Sequence, residues 1–154
     1  MQALHPLAVS VNKAVETDLA ELVRVDHEAF PEDPYPESVL RQFMDTYTDH
    51  LLLAKSDGVL CGYVLATPPC EGLSWIFSLG VAPGKRQQGL GRQLMKDVLE
   101  NLRKEGAHTV NLWVDPRNTA AIGLYESLRF VPVGEPHEDY FGPGKHRRLM
   151  RLTL

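Results

Sequence analysis

Val81-Ala-Pro-Gly-Lys85-Arg86-Gln87-Gln88-Gly89-Leu90-Gly91-Arg92 joins a run of large apolar residues, Leu73 to Val81, to the cleanest helical stripe in the chain. From Leu90 the apolar positions are 90, 94, 95, 98, 99 and 102, a 3.6-residue period that runs to Lys104 and stops at Gly106. The reading is therefore strand, glycine-rich turn, helix. Such a turn aims several backbone N–H groups and the positive end of a helix dipole at one point, which is a phosphate-binding geometry. Gly89 and Gly91 carry no Cβ to keep a pyrophosphate away from the backbone, and Lys85, Arg86 and Arg92 add positive charge. The alternative is a plain tight turn. Two common phosphate motifs do not fit: Gly84 is followed by Gly89-Leu90-Gly91 where a Walker A loop needs Gly-Lys-Ser/Thr, and a dinucleotide fingerprint needs glycine where Leu94 stands.

Outward from this segment, the remaining chain alternates strands and helices. On the C-terminal side, Thr109 to Val114 predicts a strand, Asn118 a helix cap, and Thr119 to about Leu128 a helix. Strand, helix, strand, helix implies a parallel pair joined by a crossover. Phe130 to Val133 and Arg148 to Leu154 read as closing strands. On the N-terminal side, Val9 and Val11 alternate with polar residues, and His50 to Lys55 and Val59 to Thr67 flank Ser56-Asp57-Gly58, a hairpin signal. Between them lie two predicted helices. The first starts at Thr17 or Asp18, with Glu21 at capping-box distance from Asp18, and carries Leu19, Leu22, Val23, Asp26 and Phe30 near one face, where only Asp26 is polar. Pro31, Pro34 and Pro36 end it, and a second helix follows from Glu37 to Thr46 with Leu40, Phe43, Met44 and Tyr47.

The whole is an α+β (α/β-like) domain with a mixed central sheet and helices on both faces, residues 1–154 forming one unit. At 154 residues and 17.2 kDa, folding hides about 70% of the unfolded surface, enough for one core. A net charge of −4 argues against a broad nucleic-acid-binding face. The longest apolar runs fall far short of the roughly 20 residues that span a bilayer, and Met1 to Val9 has no secretory-signal pattern, so no membrane association and a cytoplasmic location are expected. Cys61 and Cys70 form no Cys-x-x-Cys pair and the six histidines show no ligand spacing, so no metal is expected.

The segment Arg86 to Gly91 behind Val81-Ala-Pro83 resembles the acetyl-CoA pyrophosphate loop of the GCN5-related N-acetyltransferase (GNAT) superfamily, Arg/Gln-x-x-Gly-x-Gly/Ala. Asn118-Thr-Ala-Ala-Ile-Gly-Leu-Tyr125-Glu-Ser-Leu-Arg-Phe130 is similar to its later motif, Asn-x-x-Ala-x-x-Leu-Tyr-Glu-x-x-Gly-Phe, about 30 residues on. The resemblance covers Gly62 to the C-terminus in detail and the first 60 residues by element order. It implies an acetyl-CoA-dependent N-acetyltransferase with a βαβ cofactor-binding core. Leu79, Gly80 and Val81 would pair with the pantetheine arm, and Arg86, Gln87, Gln88, Gly89, Leu90, Gly91 and Arg92 would hold the pyrophosphate. Asn118 would contact the cofactor arm and Tyr125 would stand near the thioester sulfur. A phenol stays protonated at neutral pH and can hand its proton to a departing thiolate. By its residue type alone, Tyr125 reads first as an amphipathic aromatic on a buried helix face, and only the motif reverses that reading.

The C-terminal half is most similar to the acetyltransferases of ribosomal-protein N-terminal alanines, which carry a glutamate base five residues before the asparagine. Trp113 stands there. The proton acceptor is then Asp115, Glu71, His137, Glu138 or a chain of waters, unless each of these is a solvated surface group. Arg129 replaces the glycine before Phe130, a change expected to alter only a turn. The resemblance places the acceptor between Phe30 to Ser38 and a loop from Gly134 to His146. Their acidic residues, Glu32, Asp33, Glu37, Glu135, Glu138 and Asp139, would favour a cationic amine unless they are ordinary solvated charges. Asp139-Tyr140-Phe141-Gly-Pro-Gly-Lys145 resembles the tyrosine-bearing hairpin of protein N-terminal acetyltransferases, which favours a peptide or protein amine over a small one. A non-catalytic acetyl-CoA-binding module is the competing class. A monomer and a homodimer are both compatible with the sequence.

Overall fold

A computed structural model of the chain describes residues 9–154. Of the N-terminal stretch read above for a secretory signal, all but Val9 lies outside the described residues. Two compact units can be distinguished: one runs to Leu65 and takes in Ser78–Val98, and the other comprises Ala66–Phe77 and Leu99–Leu154.

In chain order the elements are β1 (Val9–Lys13), α1 (Leu19–Ala29), α2 (Glu37–Thr46), β2 (Leu51–Ser56), β3 (Val59–Ala66), β4 (Leu73–Val81), α3 (Leu90–Lys104), β5 (Thr109–Val114), α4 (Thr119–Ser127), β6 (Val131–His137) and β7 (Arg147–Thr153). Strands hydrogen-bond in the order β1-β2-β3-β4-β5-β7-β6. β4 and β5 are parallel, as the βαβ reading requires, while β1–β2, β2–β3, β5–β7 and β6–β7 are antiparallel.

In the first unit, Asp57 and Gly58 both have positive φ (50° and 78°), the pair of left-handed residues that a two-residue hairpin needs. One register step is skipped in this hairpin: Ala54 opposes Gly62 but Lys55 opposes Leu60. Cys61 is thus the extra residue of a bulge. β2 and β3 are buried along most of their length. On one face Leu51, Leu53, Leu60, Tyr63 and Leu65 pack with Leu22 and Val25 of α1 and Leu40 and Met44 of α2. On the other, α3 lies so close that a Cβ on Gly62 would be 3.2 Å from the Leu94 side chain. All six apolar positions predicted for the α3 stripe are buried.

The predicted N-terminal cap of α1 takes a different form. Glu16–Asp18 is a short 3-10 turn that leaves Asp18 in a helical conformation, so its carboxylate does not close onto the following N–H groups. It accepts instead from Val15 N (2.8 Å) and from Lys55 Nζ (2.7 Å), and Glu21, the other half of the expected box, accepts from Leu60 N (3.1 Å). Burial pushes the Asp18 carboxyl up, but the Lys55 hydrogen bond, the Val15 N–H and the Lys55 charge outweigh it and hold it below the usual value.

In the second unit, Asn118 caps α4 as read from the sequence, its Oδ1 accepting from Ala121 N at 3.1 Å. β6 continues to His137, so the expected loop from Gly134 is in part strand. The ladder accommodates Gly134 (φ +71°) and Pro136 as an irregularity between Val133 and His137. Arg129 sits in the left-handed region with φ +74°, the conformation that a glycine there adopts without strain.

Candidate functional site

The glycine-rich turn lies entirely in the first unit. β4 ends at Val81, Pro83–Lys85 makes one 3-10 turn, and α3 begins at Leu90. Ala82 N donates to Cys61 O (2.9 Å) and Lys85 N to Ala82 O (2.8 Å), which ties the start of the turn to β3. Gln87 and Gly89 both have positive φ, 62° and 81°. A Cβ on Gly89 would meet nothing within 4 Å, so within the chain this glycine serves backbone conformation, and the space beside it is open to a ligand. The first i→i−4 bond runs from Gln93 N to Gly89 O, so the N–H groups of Leu90 and Gly91 precede it, among the donors that a helix start presents to an anion.

Arg86 does something that its motif does not announce. Its Nε donates to Val81 O (3.3 Å) and its Nη2 to Ala29 O (3.1 Å), so the side chain braces the turn against the last residue of α1. Gln88 Nε2 donates to Gly84 O at 3.5 Å. Gln88 and Arg92 are exposed, and Leu90 is buried as the first core contact of α3.

Leu79, Gly80 and Val81 form the last turnward residues of β4. Gly80 is there for lack of space: a Cβ would stand 2.7 Å from Tyr63 Cε1 and 3.2 Å from Phe30 Cε2. Tyr63 itself is fully buried, and its hydroxyl bridges Asp26 Oδ1 and Ser78 Oγ (2.7 Å to the latter). Asp26 Oδ2 accepts from Tyr35 N at 2.8 Å. Asp26 is thus the hub that fastens the proline-rich segment and β3 to α1. Sequence reading missed this hub, although a lone acid on an otherwise apolar helix face was its signal.

Asn118 and Tyr125 both lie in the second unit, on α4. The ring of Tyr125 packs on Phe130 at 5.8 Å and the residue is 8% exposed. Its hydroxyl makes no hydrogen bond to any described residue, and burial pushes the phenol up to about 12.

Trp113, near the end of β5, is the centre of an aromatic cluster. It stacks on Trp75 (6.4 Å), meets the His137 ring edge-on (5.3 Å) and lies 4.4 Å from the Tyr140 ring. Tyr140 and Phe141 are each half exposed, and the Arg147 guanidinium lies 4.7 Å from the centre of the Phe141 ring. Of the other proposed proton acceptors, Asp115 is clamped by Arg117 through Nη2 (3.0 Å), Nε (3.2 Å) and the backbone N–H (2.9 Å). These bonds hold its carboxyl below the usual range despite partial burial. Glu71 precedes β4, whose Leu73 pairs with Thr109 at the start of β5, so it lies at the end of the strand away from Trp113. Asp139 Oδ1 accepts from Gly144 N (2.7 Å), a turn-forming role, while Glu32, Asp33, Glu37, Glu135 and Glu138 are exposed. Among the described residues no group of three or more His, Cys, Asp or Glu side chains could hold a metal, and no helix is long and apolar enough to cross a membrane.

Strand, phosphate-type turn and helix, followed by a capped helix bearing a buried tyrosine, define the acetyltransferase (GNAT) fold, and the model of that family matches residues 17–130. The chain belongs to the acetyltransferase (GNAT) family. It is 28% identical to the N-alpha-acetyltransferase RimI of Mycobacterium tuberculosis over 149 residues, covering 93% of this chain and 91% of that protein. It also matches a mycothiol acetyltransferase of Saccharopolyspora erythraea at 32% identity over 84% of this chain, but spans only 46% of that longer protein. In fold it is similar to Ard1 of Thermoplasma volcanium (TM-score 0.88, 18% identity, 96% of this chain and 99% of that one). The structure of yncA of Salmonella typhimurium with its cofactor acetyl-CoA is similar at a TM-score of 0.81 and 20% identity over 96% of this chain and 94% of that one.

Proposed function

We propose that this chain transfers an acetyl group directly from acetyl-CoA to a primary amine of a peptide or protein. The observation that carries the reading is Tyr125: a buried phenol, pushed up to about 12, with a hydroxyl that no described residue uses. Such a group holds its proton throughout the neutral range and can give it to sulfur as a C–S bond breaks. The turn supports the donor side. The N–H groups of the 86–92 segment would receive the pyrophosphate with Lys85 and Arg92 adding charge, while Arg86 keeps the turn in shape. Leu79, Gly80 and Val81 would pair with the pantetheine arm, Asn118 would contact it, and a backbone N–H at Gly80 or Val81 would meet the developing oxyanion.

The peptide acceptor is favoured by the full-length match to an N-alpha-acetyltransferase and by the Tyr140-bearing hairpin. The partial match to mycothiol acetyltransferases supports a small amine as the second reading. A panel of peptides with free N-termini and of small amines, followed by acetyl-CoA-dependent CoA release, separates them. Saturable turnover of peptides is expected; turnover of small amines alone would overturn the peptide assignment. Tight acetyl-CoA binding with no acceptor active would leave a binding module.

A further inference from the structure

We propose that the imidazole of His137 is the base that takes the proton from the acceptor amine, in place of the carboxylate whose position Trp113 occupies. The inference rests on the acetyltransferase reading above and names the proton acceptor of the same site. The geometry sorts the four groups that the sequence left open. Asp115 is bound at both carboxylate oxygens by Arg117, a poor base. Glu71 stands at the start of β4, beside the start of β5 rather than its end. Glu138 is exposed, as His137 is, but no hydrogen bond or ion pair to a described residue fixes its carboxylate. His137 closes β6 with its ring edge-on to Trp113 at 5.3 Å and 5.2 Å from Tyr140, and its ring nitrogens hydrogen-bond to no described residue. Two aromatic rings therefore fix the imidazole against the residue that replaced the carboxylate while its nitrogens stay open to a ligand.

The charged and titratable groups around it are Arg147, its partner across the β6–β7 ladder, Glu138 next in chain, Tyr140 from the loop, Arg148, whose Nη2 donates to Gly134 O, and the Asp115–Arg117 pair that follows β5. A ring nitrogen of an imidazole can accept the amine proton. In the step, the ammonium gives one proton to His137. The freed lone pair forms the N–C bond, the C–S bond breaks, and sulfur takes a proton from Tyr125. Nitrogen's second proton, shed as the tetrahedral intermediate collapses to the amide, returns to the Tyr125 oxygen by way of water, and His137 releases the first to solvent, so that one proton leaves overall.

The test compares wild type, His137→Gln and Glu138→Gln, measuring kcat/KM from pH 5.5 to 9 with the best peptide or amine acceptor, and thermal melting with acetyl-CoA. His137→Gln is expected to lose about 10²-fold in kcat/KM and to flatten the acidic limb of the profile, while keeping the acetyl-CoA melting shift. Glu138→Gln should change kcat/KM by no more than a few-fold, through the charge near the amine, and keep the acidic limb that His137→Gln flattens. If His137→Gln keeps the wild-type rate and profile, or Glu138→Gln shows the loss instead, the assignment to His137 is wrong and the acetyltransferase reading stands. If wild type turns over no acceptor, both fall.

Discussion

Tyr63 and Tyr125 are both phenols sunk in the fold, and for both burial is the main force pushing the hydroxyl proton to higher pH. Their surroundings then part. Tyr63 donates its hydroxyl proton to Asp26 and shares a second hydrogen bond with the Ser78 hydroxyl, and through Asp26 it holds Tyr35 N and the proline-rich segment in place. Tyr125 packs its ring on Phe130 and leaves its hydroxyl without a hydrogen bond to the described residues. A partnered buried hydroxyl is structure; one without a described partner is, under the proposed function, a proton held ready. Each substitution below should therefore move one property and spare the other.

The largest effect is expected from Tyr125→Phe: a fall in kcat of about 10²-fold or more at saturating acetyl-CoA, with no loss of stability in urea melts. A fall in stability with unchanged kcat would reverse the comparison. The same variant carries a pH signature. An unfolded tyrosine ionises near 10 whereas folded Tyr125 holds its proton to about 12, so its share of stability is complete below pH 10 and is lost as pH rises through about 12. Urea midpoints between pH 9 and 12 should fall less steeply in Tyr125→Phe than in wild type, with Tyr63 still supplying its own alkaline loss.

Tyr63→Phe should do the converse, costing about 2 kcal/mol of unfolding free energy, because it strips a donor from the buried Asp26 carboxylate. An unchanged urea midpoint would show that the Asp26 hub carries no stability. The smallest effect is expected at Arg129→Gly. Relief of the left-handed strain at φ +74°, less the entropy that glycine adds to the unfolded chain, should raise stability by roughly 0.5–1 kcal/mol, read as a higher melting temperature. A lower one would mean that the side chain contributes more than the strain costs.

Where structure follows from neighbours in sequence, it was legible. The α3 stripe, the β5 boundaries, the Asp57-Gly58 hairpin and the Asn118 cap depend on periodicity and turn chemistry within a few residues, and each stands where it was read. Where a residue's partner is distant in the chain, local pattern failed. Asp18 reads as a cap but is drawn to Lys55, 37 residues on. Asp26 reads as an interruption until Tyr63 is seen against it. β6 reads as ending before Gly134 because the β7 ladder that carries the strand on to His137 is not visible in Pro136 or Gly134 themselves. The turn at 81–92 and the motif at 118–130 could be named from sequence. The aromatic setting of His137, assembled from β4, β5, β6 and the following loop, could not.

Arg86 has one more implication. A guanidinium cannot shed its charge, so Arg86 commits two of its five N–H donors to Val81 O and Ala29 O while its field persists. If the turn takes a diphosphate as proposed, it is moulded before the ligand arrives, and the ordering entropy that an unbraced loop would surrender on capture has already been surrendered in folding. In kinetic language, the brace should favour rapid capture by a prepared cradle over slow closure of a floppy one.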